Sequence, residues 1–246
     1  MGSWAQRFVP GSVGSFAPDV DALIVLVTLF IGIWFLAAEG VFFWFIFRFR
    51  AREGTAGQYI SGKDKNHKRW ITIPHYLVLV CDIVIIIAAI QVWVKIKQSL
   101  PPADAQVRVI GQQWAWTFVH PGADGKLDTA DDITTTDELH VEVDKTYHFL
   151  LESKDVLHSF SVPVFRLKQD AIPGRTIIGW FQARQTGQHD IQCAEMCGIG
   201  HGVMAARIFI ESPQQHATWV RERTTTPAVE LAGAGSAGAE AAPAAH

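Results

Sequence analysis

Cysteine is scarce in this sequence, with three in 246 residues. Cys81 stands alone in an apolar run and reads as a small buried hydrophobe. That leaves Cys193 and Cys197 as a single pair, which is no disulfide framework. Charge is also low, at 18% Asp, Glu, Lys and Arg with a net charge of −3. Only one stretch is basic, the loop described below, and no surface for nucleic acid is expected. The sequence has no Cys-x-x-Cys-His, so no c-type haem domain is expected within it. A Gly-rich phosphate loop and a Gly-x-Ser-x-Gly element are also missing, which argues against a nucleotide-driven machine and an α/β hydrolase. There is no internal repeat.

Long apolar runs, by contrast, are abundant. Residues 22–47 read ALIVLVTLFIGIWFLAAEGVFFWFIF, with one ionisable group. At 1.5 Å per residue this run is roughly 39 Å long as a helix, enough to span a bilayer with some tilt. Residues 71–94, ITIPHYLVLVCDIVIIIAAIQVWV, form a second run. The first is too long for the core of a signal peptide and follows two aspartates and one arginine. The loop 48–70 between them carries Arg48, Arg50, Arg52, Lys63, Lys65, Lys68 and Arg69 against Glu53 and Asp64, whereas residues 1–21 hold only Arg7 as a positive charge. By the positive-inside rule the loop is cytoplasmic, and segment 1–21 and everything after Lys97 face outward.

Beyond Pro101 and Pro102 the composition changes. "VRVIGQQWAWTFV", "ELHVEVDKTYHFLLES" and "AARIFIES" alternate apolar with polar residues and favour Val, Ile, Phe and Trp. A compact all-β sandwich or barrel is expected over 103–222, followed by a disordered Ala- and Gly-rich tail, 223–246. One insert, "HPGADGKLDTADDI" (120–133), offers Asp124, Asp128, Asp131 and Asp132, but without EF-hand spacing. It reads as a solvated acidic turn, with a calcium site or a contact for a partner protein as alternatives.

Residues 193–204, "CAEMCGIGHGVM", concentrate the chemistry. In an extracytoplasmic domain a disulfide is the plain reading of Cys193 and Cys197, but His201 and Met204 follow at once and His158 in "DVLHSF" lies after a predicted strand. Zinc has no use for a thioether. Soft sulfur with imidazole selects copper, and the second thiolate permits two coppers bridged by both sulfurs. His75, His120, His140, His148, His189 and His216 have no partner at metal spacing and read as surface or core.

These residues carry a resemblance. "CAEMCGIGHGVM" with the upstream "DVLHSF" resembles the binuclear CuA site of subunit II of haem–copper cytochrome c oxidases, whose pattern is a His followed by Cys-x-Glu-x-Cys-x-x-x-His-x-x-Met. "GQQWAW" (111–116), "LKQDAIPGR" (167–175) and "WITIP" (70–74) are similar to other segments of that family, so the likeness covers roughly residues 20–220. It implies a membrane-anchored chain, a two-helix transmembrane hairpin carrying a cupredoxin-like Greek-key β domain. The implied copper ligands are His158, Cys193, Cys197, His201 and Met204, with Glu195 acting through its backbone carbonyl and, through its side chain, at a magnesium site shared with subunit I. Trp114 aligns with the tryptophan through which electrons arrive.

The implied function is to accept electrons from cytochrome c and pass them to haem in subunit I, where oxygen is reduced to water and protons are translocated. The partners are then subunit I, other oxidase subunits, cytochrome c and membrane lipid, in a bacterial inner membrane with both termini and the copper domain outside. A nitrous-oxide-reductase-type enzyme, a copper-delivery protein and a quinol-oxidising relative are the competing classes. Where the family commonly has a glutamate before the second helix, this chain has His67. Together with Glu39 and Asp82, ionisable groups inside the predicted spans, it is a candidate for proton uptake; solvated loop residue and interhelical polar contact are the competing roles.

Overall fold

The computed structural model describes residues 11–54, 56–57, 59 and 61–225. Most of the tail expected to be disordered, and the first ten residues, lie outside them. The chain divides into a helical unit, Gly14–Leu100, and a β unit formed essentially by the residues from Pro101 onward.

In the helical unit, α1 (Ala17–Arg48) and α2 (Lys65–Trp93) pair, and α2 ends in a π-helical turn, Val94–Gln98. Both helices begin earlier than their apolar runs, because polar first turns add to them. Pro18 and Asp19 suit the first turn of α1, where an N–H is unneeded and the dipole favours an acid. Asp64 caps α2 by accepting the Asn66 N–H at 2.7 Å. Both helices are long and apolar enough to cross a membrane. Leu29, Ile33, Leu36 and Phe47 on α1, and Ile71, Ile73 and Ile86 on α2, are more than half exposed. In water such a surface would demand cover; in hydrocarbon it is the solvated face. Asp19 and Lys95 join the far ends of the hairpin at 2.7 Å.

Among the described residues the β unit holds ten strands: β1 (Ala105–Gln112), β2 (Ala115–His120), β3 (Ile133–Thr136), β4 (Glu138–Glu142), β5 (Thr146–Ser153), β6 (His158–Val162), β7 (Leu167–Ala171), β8 (Ile177–Gln182), β9 (Gly187–Cys193) and β10 (Ala205–Glu211). They form two five-stranded sheets, in the orders β3-β2-β1-β5-β8 and β4-β10-β9-β6-β7. Alternation decides what each strand buries. Val107 and Val109 of β1, Trp116 and Phe118 of β2, Phe149 and Leu151 of β5, and Ile208 and Ile210 of β10 are all buried. Phe160 on β6 has Trp116 at 5.6 Å and Phe149 at 5.8 Å between ring centroids. This aromatic core continues to His158, whose ring lies 6.0 Å from that of Trp116. The expected class, two apolar helices followed by an all-β sandwich, is the one found.

A third helix, α3 (Pro213–Thr225), was not expected. Ser212 and Gln215 form a capping box: the Ser212 N–H donates to the Gln215 side chain at 3.0 Å and the Gln215 N–H to the Ser212 hydroxyl at 3.4 Å. The helix is held by Glu211, whose two carboxylate oxygens meet His140 at 2.8 Å and His216 at 2.9 Å. The His140 ring is stacked between Phe209 at 4.6 Å and Trp219 at 4.3 Å. His140 and His216, read from sequence as isolated, are therefore joined through one carboxylate.

Candidate metal centre

The site stands at one end of the second sheet. Strands β6 and β9 are antiparallel with Phe160 opposite Cys193, which brings the first residue of β6, His158, close to the last residue of β9. From Cys193 the chain loops through a 3-10 turn, His201–Val203, to Met204 and β10. Backbone bonds close this loop. The Cys193 N–H donates to the Met204 carbonyl at 3.1 Å, and the Ala194 N–H to the Ser159 carbonyl at 2.9 Å.

Every donor expected from the sequence converges here. The Cys193 and Cys197 sulfurs are 3.7 Å apart, well beyond the roughly 2.05 Å of a disulfide, and both thiols are free. His158 Nδ1 lies 3.9 Å from Cys193 Sγ, His201 Nδ1 3.6 Å from Cys197 Sγ, and Met204 Sδ 3.8 Å from Cys197 Sγ. The Glu195 carbonyl oxygen is 3.3 Å from Cys193 Sγ. His158 and Met204 are fully or almost fully buried, and both cysteines are buried. Burial, reinforced by the neighbouring Cys193, pushes the Cys197 thiol up to about 11, so without a metal it is protonated at neutral pH and metal binding must release its proton. Among the described residues, His158, Cys193 and Cys197 form the one group of three or more His, Cys, Asp or Glu whose donor atoms come together. Two thiolates, two imidazoles, a thioether and a carbonyl in a buried pocket suit copper and leave zinc's closed tetrahedron with donors to spare.

Two surrounding groups orient the donors. Asp155 Oδ1 lies 2.8 Å from His158 Nε2, which turns Nδ1 toward the sulfurs. Burial raises the Asp155 pKa, but the Gln113 N–H, His158 and the Val156 N–H outweigh it and keep the carboxyl below its ordinary value. Sequence reasoning missed this role, although Asp155 is the first residue of "DVLHSF". Trp114 is 39% exposed and its indole N–H donates to the Cys197 carbonyl at 3.2 Å. A surface aromatic is thus joined by one hydrogen bond to a ligand residue.

The family model for the cytochrome c oxidase subunit II periplasmic domain matches residues 105–212. The alternative cytochrome c oxidase subunit 2 of Bradyrhizobium diazoefficiens is 31% identical over 203 residues, covering 73% of this chain and 71% of that one. This chain belongs to the cytochrome c oxidase subunit II family. The cytochrome c oxidase subunit 2 of Thermostichus vulcanus is 40% identical over 119 residues, 48% of this chain and 33% of its own. Among solved structures, the periplasmic domain of subunit II of cytochrome oxidase from Bradyrhizobium japonicum matches with 31% identity over 51% of this chain and 96% of that one, at a TM-score of 0.46. As a subunit II the chain is part of an oxidoreductase complex, alongside other oxidase subunits, and its two apolar helices fit a membrane anchor.

The remaining candidates of this subunit II lie elsewhere. His67 is exposed in the first turn of α2. Asp82 lines a cleft of about 400 Å³ between α1 and α2 with Trp34, Ala38 and Cys81; the half-buried Glu39 is the next residue after Ala38. In the acidic insert the carboxylates are taken up by donors of the protein. Asp128 pairs with Arg108 at 2.7 Å, Asp131 accepts the Thr129 hydroxyl at 2.7 Å, Asp132 accepts the Asp128 N–H at 2.9 Å, and Asp124 accepts the Lys126 N–H at 2.8 Å. Asp124, Asp131 and Asp132 each bring a carboxylate oxygen within 3.4 Å of the Thr129 hydroxyl.

Proposed function

We propose that this chain is the electron-accepting subunit of its oxidase, receiving electrons from cytochrome c and delivering them to haem in subunit I. His158, Cys193, Cys197, His201, Met204 and the Glu195 carbonyl would hold a binuclear copper centre. When bound, such a pair would supply a one-electron relay. The observation that carries this reading is the pair of buried, unbonded thiols 3.7 Å apart, each with an imidazole nitrogen within 4 Å.

The chain's own residues prepare that centre. Cys193 and Cys197 give up their protons on binding, Asp155 fixes the tautomer and direction of His158, and the buried face of the loop excludes water. Trp114 offers an exposed ring at which an electron arrives, one hydrogen bond from Cys197. The Glu195 side chain would take a magnesium ion shared with subunit I. Following the positive-inside rule, residues 48–70 face the cytoplasm and the β unit faces outward from a bacterial inner membrane. Glu39, His67 and Asp82 are the groups we assign to proton uptake. Uptake by the assembled oxidase that survives E39Q and D82N together would remove the two helical acids from that role.

Copper quantitation and electron paramagnetic resonance of the full chain, purified in detergent and loaded with copper, test the centre. Two coppers per chain with one unpaired electron shared equally over both nuclei is the expected result. A single-nucleus signal, or a Cys193–Cys197 disulfide that takes no copper, would overturn it.

A further inference from the structure

The ligand loop 194–204 carries Gly198, Gly200 and Gly202 and has little stiffness of its own. What stiffens it reaches across from the other sheet. The end of β1 and the turn that follows it contact both ligand-bearing segments. Gly111 lies against His158: a Cβ there would stand 3.0 Å from the imidazole Cδ2. The Gln113 main-chain N–H donates at 2.7 Å to Asp155 Oδ2, the oxygen not used on His158. The Gln113 side-chain amide donates at 2.8 Å to the Cys197 carbonyl, the same oxygen that accepts the Trp114 indole N–H. Gly198 has φ +117° and a Cβ there would come within 2.9 Å of the Gln113 amide; at Gly200 it would come within 2.4 Å of the Trp114 ring. The loop is therefore glycine where the turn rests on it.

We propose that Gln113 is a positioning residue for the metal centre, clamping the Cys197 carbonyl from its side chain while its main chain steadies Asp155 and so His158. This inference rests on the copper reading above. Two donors share one carbonyl with two lone pairs, so each covers for the other. Removing one leaves the oxygen satisfied; removing both leaves a part-buried acceptor unpaired, which is the expensive case. The clamp fixes the direction of the Cys197 backbone, and with it the thiolate.

The test uses the full chain in detergent, copper-loaded, with Q113M, which keeps length and apolar bulk but has no donor, W114F and the double variant. Copper loss to a competing chelator should quicken about threefold in each single variant, and in the double variant by clearly more than the product of the two, on the order of thirtyfold or above. The visible thiolate-to-copper absorption of Q113M should shift while its two-copper stoichiometry holds. A merely structural glutamine would lower the melting temperature without moving that absorption or the coupling. Unchanged spectra with single effects that simply multiply would overturn the proposal. A failure of the wild-type chain to bind two coppers would instead refute the copper reading beneath it.

Discussion

Removing the carboxylate that holds α3 should loosen the part of the β unit that packs on this helix, in a pH-dependent way. Burial raises the pKa of Glu211, but hydrogen bonds from His140 and His216 more than reverse this and hold it down at about 2, against an ordinary 4.5. If the whole difference survived in solution it would correspond to about 3 kcal/mol at neutral pH. His140 and His216 line an open cavity of about 530 Å³ that also reaches Lys145 and Arg221, so water screens the cluster. We take about 1.5 kcal/mol for E211Q, or a melting temperature lowered by roughly 5 °C. Glu138, 3.8 Å from His140 Nε2, the His120 ring, 6.3 Å from that of His140, and Glu142 and Tyr147 in the same cavity are further titratable neighbours of the cluster. The sign follows from the depressed pKa. The contribution of Glu211 is full above about pH 4.5 and is lost as pH falls toward 2, so the deficit of E211Q should be complete at pH 7 and should fade below pH 4.5. Trypsin should also cut sooner at Arg221 and Arg223 in α3. A variant with parental stability at pH 7, or a deficit undiminished at pH 3, would refute the role given to this cluster.

Other substitutions read other parts of the fold. D155A should weaken copper retention by about tenfold, measured by chelator competition, because His158 loses the group that orients it. G179A should destabilise the β unit by about 1–3 kcal/mol in denaturant titration, since its Cβ would stand 2.2 Å from the Phe149 ring. An excess of calcium should leave the melting temperature unchanged, because Asp124, Asp128, Asp131 and Asp132 are already held by protein donors.

The proposed copper donors could be named from the sequence because five of the six residues lie within twelve consecutive positions, and the sixth, His158, follows a predicted strand. The membrane helices were legible from length and hydropathy, though their polar first turns were not, since an apolar count stops where Asp64 begins to cap. Helix α3 was missed for a related reason. Its residues, PQQHATWVRERTT, are mostly polar, and it is held by a His–Glu–His contact and a stacked tryptophan that hydrophobic periodicity does not register. Ser212 and Gln215 did announce it, as a Ser-x-x-Gln capping box. Gln113 could not be assigned in advance: 84 residues separate it from the carbonyl it binds, and only the pairing of β6 with β9 and the stacking of the sheets bring the two together.

That separation explains how a glycine-rich loop can hold a fixed set of donors. The donors themselves all belong to one sheet, from β6 and from the connection between β9 and β10. Had their support come from the same strands, any breathing of that sheet edge would have moved ligands and supports together. Instead Gln113 and Trp114 are carried by the hairpin of the opposite sheet, and Asp155 by the crossing from β5 to β6, so the donors are fixed relative to the whole sandwich. The electron relay proposed above would need this more than a binding site does, because any change of ligand geometry between oxidation states would add to the barrier for transfer. The aromatic core beneath, from Trp116 through Phe160 to Phe149, serves the same end: it sets the distance between the sheets and with it the height at which the turn meets the loop.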